Sequence, residues 1–302
     1  MMCRQSQIAG LLVCVVTHTL AQIWACGHSS QAFVRQVRAR SLERYPWFDS
    51  SEKSSDSWRK MWAGHPVRAW RLQRLAEIEP GLLRTLNDPL WQVLHVLWEE
   101  RRPCNALAHT LYQACFDGRP LRCETAMRRL FDCPAWCHLC IALALLGSES
   151  DRMIAMRKWL QRDFFSYLLL ICMLEPGCYV RARLYELLDG LILRKMIPPI
   201  DGWPADVAGF LEGCQAMESF GQWLEEQGGS DGWSSRTCTL VHLKWPDRAL
   251  RDFVQGDGTA DYRATITCQD KRRVAAAWAR HQALAPYWLG RVSPSFTAFN
   301  LL

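Results

Sequence analysis

The sequence predicts a mostly α-helical fold, either a multi-helix bundle or an α-solenoid-like stack of helix pairs, with a small mixed α+β C-terminal region. Two observations carry the helical part. Apolar residues recur at three- and four-residue spacing over stretches of about 12–20 residues, and Pro or Gly pairs punctuate those stretches at short intervals. A third carries the tail, since after Gly229 the helical period gives way to short runs such as TCTLVHL and YRATITC, which read as strands. No fixed repeat period is present, so the stack of helix pairs is an analogy of pattern.

Taken in order, the helices have local causes. Asp88-Pro89 is an N-cap with Pro at the first helical position, and Leu90, Val93, Leu94, Leu97 and Trp98 then trace one apolar face. Pro103 restarts the chain for a short face of Leu107, Leu111 and Cys115. Pro120 begins a helix with Met127, Leu130 and Phe131. Ser148 with Asp151 reads as a capping box ahead of Met153, Met156 and Leu160. The apolar runs at residues 137–146 and 164–173 are too short to span a bilayer and read as core helices. Pro176-Gly177 breaks the chain. Val180, Leu184, Leu187, Leu188, Leu191 and Ile192 then form the clearest amphipathic pattern in it, ended by Pro198-Pro199. Trp203-Pro204 opens a further helix with Val207, Phe210, Leu211, Cys214 and Leu224, closing at Gly228-Gly229.

With 49% hydrophobic and 22% charged residues in 302, the chain is globular in composition and far from disorder. The net charge of +6 is uneven: residues 35–84 hold eleven Lys or Arg against six Asp or Glu. Such an excess fits an anionic surface or a solvated face.

The opening segment decides what the fourteen cysteines can do. Residues 7–34 contain no Asp, Glu, Lys or Arg, and Arg4 followed by IAGLLVCVV has the basic start and apolar core of a secretory signal. A cut after Ala21 would remove Cys3 and Cys14 and leave twelve cysteines, an even number suited to disulfides. Within a few residues, IWAC resembles a bacterial lipoprotein signal, which would make Cys26 the lipid attachment site. The competing reading is a buried helix, because Leu12, Val15, Val16, Leu20 and Ile23 recur at helical spacing. Residues 41–57 are Ser-rich and polar, a linker signature. The organisation read from these features is a signal peptide or membrane-targeting segment at 1–25, a polar linker at 26–57, a helical domain at 58–229 and the α+β tail at 230–302.

Two stretches could carry function. WCHLC, Trp136 to Cys140, resembles the W-C-x-x-C active site of the thioredoxin family. The resemblance implies thiol-disulfide exchange with Cys137 as the nucleophile, its thiolate favoured by a helix N-terminus, and Cys140 as the resolving thiol. Residues 126–130, AMRRL, read as helix where that family places a buried strand. The same region offers Cys133, Cys137, His138 and Cys140 as soft ligands, but adjacent Cys137 and His138 diverge on a helix, so no metal site is expected. Elsewhere Cys172 and Cys214 read as small core hydrophobes, while Cys238 and Cys268 could pair across the two tail strands. The second stretch is WRKMWAGHPVRAWRLQR. Its Trp58, Trp62, Arg68, Trp70, Arg71 and Arg74 read first as a core-edge helix with snorkelling arginines, and otherwise combine rings with cations in the way nucleic-acid grooves and anionic membrane surfaces are bound.

No phosphate-binding loop, dinucleotide fingerprint, metalloprotease helix or nucleophile elbow occurs, and no cofactor is expected. The expectation is a non-enzymatic helical binding or scaffold protein, exported or membrane-associated through its N-terminus in the cell envelope, with a protein partner and a membrane surface as a second. The alternatives are a thiol-disulfide oxidoreductase and a cytoplasmic nucleic-acid-binding protein. The residues name no small-molecule substrate.

Overall fold

The computed structural model describes residues 6–27, 29–44, 55–115 and 136–228. Its helices are α1 (Ser6–Ile23), α2 (Ser30–Arg44), α3 (Ser55–Trp62), α4 (Ala69–Ile78), α5 (Leu83–Leu86), α6 (Pro89–His95), α7 (Asn105–Cys115), α8 (Trp136–Leu146), α9 (Ile154–Ile171), α10 (Gly177–Leu193) and α11 (Val207–Gly228). Among the described residues the fold is a helical bundle without strands. The helix expected from Pro120, the α+β tail and the Cys238–Cys268 pairing lie outside them.

Two apolar helices organise the core. α1 lies against α3, α5, α6 and α10, with Leu11, Val15, Val16 and Leu20 fully buried. α8 lies against α6, α7 and α9, and every residue from His138 to Leu146 is buried. Neither helix has a polar face, which is what a helix enclosed on all sides requires. α6 touches both, so one continuous core runs through the molecule, and α11 closes it over α9 and α10.

Several sequence signals act as read. Asp88 caps α6, accepting the Leu90 amide at 2.9 Å, with Pro89 at the first position. Val180, Leu184, Leu187, Leu188 and Leu191 form the buried face of α10, and Cys172 and Cys214 are wholly buried. Others differ. Residues 30–44, read as part of a polar linker, are helical because Phe33, Val34, Val37 and Ser41 share a buried face. Ser148 forms no box with Asp151. Its hydroxyl donates to Asn105 Oδ1 at 3.0 Å and accepts the Ser150 amide, joining the start of α7 to the entry of α9. Leu211 is 40% exposed, so the buried stripe of α11 is narrower than read.

The helix ends are built by hydrogen bonds that need left-handed residues. α3 closes with Gly64 at φ +74°, its amide bonding Met61 O and the next amide bonding Lys60 O. α1 closes the same way with Ala25 at φ 50°, its amide to Gln22 O and that of Cys26 to Ala21 O. Arg183 of α10 donates to Ala63 O at 2.7 Å and Gly64 O at 3.2 Å, tying the end of α3 to α10 across α1.

Burial pushes the Asp88 carboxyl up from 3.8 to about 7, outweighing the Leu90 amide, which favours the charged form. The folded state therefore binds the extra proton between those values, and stability falls as pH rises through that window. Asp88→Asn keeps the capping oxygen and removes the charge. Asp88 is only half-buried and sits at a helix N-terminus, so the gain at pH 8 is expected to be about 1 kcal/mol. Urea midpoints from pH 5 to 8 check this; parallel pH slopes for the two proteins would contradict it.

Candidate functional site

Helices α2, α3 and α4 pack on one another, α2 on both α3 and α4, and α3 in turn rests on α1. Their inward residues are apolar: Phe33, Val34 and Val37 from α2, Trp58 and Met61 from α3, Leu72 and Leu75 from α4. Their outward residues include most of the local cations on α2 and α3, while the exposed positions of α4 are Trp70, Gln73 and Glu77. On α2, Arg35, Arg38, Ala39 and Leu42 form one exposed stripe at helical spacing, and on α3 Asp56, Arg59 and Lys60, continued by Ala63 just past its end, form another. In these three helices and the segment joining α3 to α4, nine Lys or Arg face three acids, Glu43, Asp56 and Glu77.

Aromatic rings hold part of this charge in place. The Arg71 guanidinium lies between two rings, 5.7 Å from the Trp58 centroid and 5.3 Å from that of Trp70, and Arg74 lies 5.2 Å from Trp70. Arg40 stacks over Trp24 at 5.2 Å. A stacked guanidinium loses less rotamer freedom on binding, although the Nε atoms of Arg40 and Arg71 are buried here. Among the described residues, no carboxylate pairs with Arg35, Arg59, Lys60 or Arg68. Elsewhere Arg102 pairs with Glu100, Arg162 with Asp163 and Arg181 with Glu218, whereas Arg101, Arg152, Lys158 and Lys195 have no carboxylate partner among the described residues.

The structure splits the basic-aromatic run. Trp58 is buried, and Trp62 is half-buried against Phe33 and His18, with centroids 5.4 and 4.9 Å apart. Both belong to the core. Arg68, just before α4, and Trp70 are exposed, Trp70 by 37%, while Arg71 and Arg74 are half-buried on the flank of α4. The arginines of α2 are the members that sequence reasoning missed, although the charge excess over residues 35–84 already included them.

Among the described residues the thiols form no comparable site. Cys137 is half-buried at the first turn of α8, and the Cys140 thiol is buried and donates to Cys137 O at 2.9 Å. The residues leading into this pair lie outside the described region. The Cys26 thiol is buried 3.8 Å from Trp24 O, and burial raises its pKa against the pull of Arg40. Burial likewise pushes Cys104 up to about 12 and Cys178 up to about 11. Such thiols are neutral at physiological pH and poor nucleophiles. Cys178 lines an open cleft of about 720 Å³ with Met173, Leu174, Glu175, Tyr179, Arg181 and Glu218. Its polar groups pair with each other, Arg181 with Glu218 and Tyr179 with Glu175 at 2.6 Å. No three His, Cys, Asp or Glu converge as metal ligands among the described residues.

The chain matches no family model, no curated protein and no solved structure.

Proposed function

We propose that this chain is a non-enzymatic helical scaffold that binds an anionic partner through the outer side of α2, α3 and α4, with α1 retained in the working protein as its core helix. The observation that carries the reading is the exposed cations Arg35, Arg59, Lys60 and Arg68, which have no carboxylate partner among the described residues. They stand on and beside helices of which α2 packs on both α3 and α4, next to the Arg71 guanidinium stacked on Trp58 and Trp70. Export through cleavage of the opening segment has weaker support, because Leu11, Val15, Val16 and Leu20 of that segment line the core. Thiol exchange at Cys137 and Cys140 has weaker support too, since the second thiol is buried and engaged with a main-chain oxygen.

Retention on immobilised heparin tests the binding face. The full chain is expected to bind at low salt, and the triple change Arg35→Glu, Arg59→Glu, Arg68→Glu to elute at markedly lower salt with an unchanged melting midpoint. Equal elution of the two proteins would remove the face from consideration.

A further inference from the structure

Resting on that reading, we infer that the partner of the α2–α4 face is the surface of an anionic lipid bilayer. Charge alone does not choose among polyanions, but the apolar residues beside it do. Among the described residues, four of the six exposed large hydrophobic side chains fall in the first 83 positions: Ile23, Leu42, Trp70 and Leu83. Leu42 and Trp70 sit among the cations, whereas Ile23 and Leu83 lie outside α2–α4, at the end of α1 and the start of α5. Leu42 shares the α2 stripe with Arg35 and Arg38, Trp70 lies under Arg71 and Arg74, and Leu83 is followed by exposed Arg84. Ile23 ends α1 beside the turn between α4 and α5, its methyl group 4.0 Å from the position a Gly81 Cβ would take. Leu42 and Leu83 are about half exposed, at 51% and 49%. A headgroup layer accommodates such side chains at its acyl boundary while its phosphates meet the arginines.

A nucleic-acid strand uses the same charge differently. It needs open ring faces on which bases stack. Here Trp58 is buried, Trp62 is packed against Phe33, and two guanidinium groups lie over the ring of Trp70. Aliphatic Leu42 and Leu83 give a strand nothing to stack on. Among the described residues no helix is long and apolar enough to cross a membrane, so the contact inferred is peripheral.

The test is sedimentation of the full chain with vesicles of phosphatidylcholine alone and of phosphatidylcholine mixed with phosphatidylserine. Binding is expected only to the mixed vesicles, and to weaken with salt. Arg35→Gln and Arg68→Gln are each expected to weaken it about fivefold, the effect of one cation near such a surface. Leu42→Ser combined with Leu83→Ser is expected to weaken vesicle binding while leaving elution from heparin as before, which separates insertion from charge. Heparin retention without vesicle binding would overturn the lipid inference and leave the anionic face standing. Binding to single-stranded DNA without vesicle binding would assign that face to nucleic acid. Failure to bind both heparin and vesicles would overturn the two readings together. Unchanged melting midpoints for the exposed-site variants keep each outcome interpretable.

Discussion

A chain beginning at Gln22 is expected to lose cooperative unfolding. Ile8, Leu11, Leu12, Val13, Val15, Val16 and Leu20 are all buried in the core, and each large aliphatic side chain contributes roughly 1.5–3 kcal/mol on burial. Their sum is on the order of the whole stability of an ordinary domain, about 5–15 kcal/mol. Removing α1 also uncovers the faces of α3, α5, α6 and α10 that it separates. Thermal and urea melts of the full and shortened chains decide the matter. A shortened chain that unfolds cooperatively at the original midpoint would support cleavage of the segment and overturn its role as core. Val15→Asp within the full chain makes the same point without shortening it, because it buries a charge at a site with no exposure.

Gly64→Ala is expected to destabilise the protein by about 3 kcal/mol, from two sources that can be separated. At φ +74° any side chain costs about 1–2 kcal/mol in the left-handed region. The new methyl carbon would also stand 2.2 Å from Cys14 Sγ and 2.8 Å from the Arg183 guanidinium, so α1 and α10 would have to give way. Adding Cys14→Ala removes the sulfur and is expected to recover much of the steric part while leaving the backbone part. Urea midpoints for the two single variants and the double variant measure the coupling. An additive double variant would show that the thiol is not what Gly64 avoids.

What the sequence made legible depended on whether a helix has a solvent side. α10 was read residue by residue because charged and apolar positions alternate at helical period, and α6 was fixed by Asp88-Pro89. α1 has no such contrast. The absence of charge over residues 7–34 argued against a surface helix, but it is also what a central helix requires, and only packing distinguishes that from an address label. α2 was misread for the opposite reason: Phe33, Val34 and Val37 are its main apolar anchors in a polar, Arg-rich sequence that continues into serines. The site was half legible. Arg68, Trp70, Arg71 and Arg74 were singled out, yet nothing in a linear run says that Trp58 faces inward while Trp70 faces out. The arginines of α2 join them only because α2 folds back onto α3 and α4.

The pairing of α1 with α10 has a consequence for the order in which the molecule is made. The last residue of α1 leaves the ribosome roughly 150 residues ahead of the first residue of its main partner. At about 5–20 residues per second, that delay is on the order of ten to thirty seconds. Throughout it the most apolar segment near the start of the chain has no completed core to enter, so its folding waits on synthesis. A nascent chain halted before Gly177 would hold α1 without the helix that covers it, and should bind a chaperone that a chain extended past Leu193 releases.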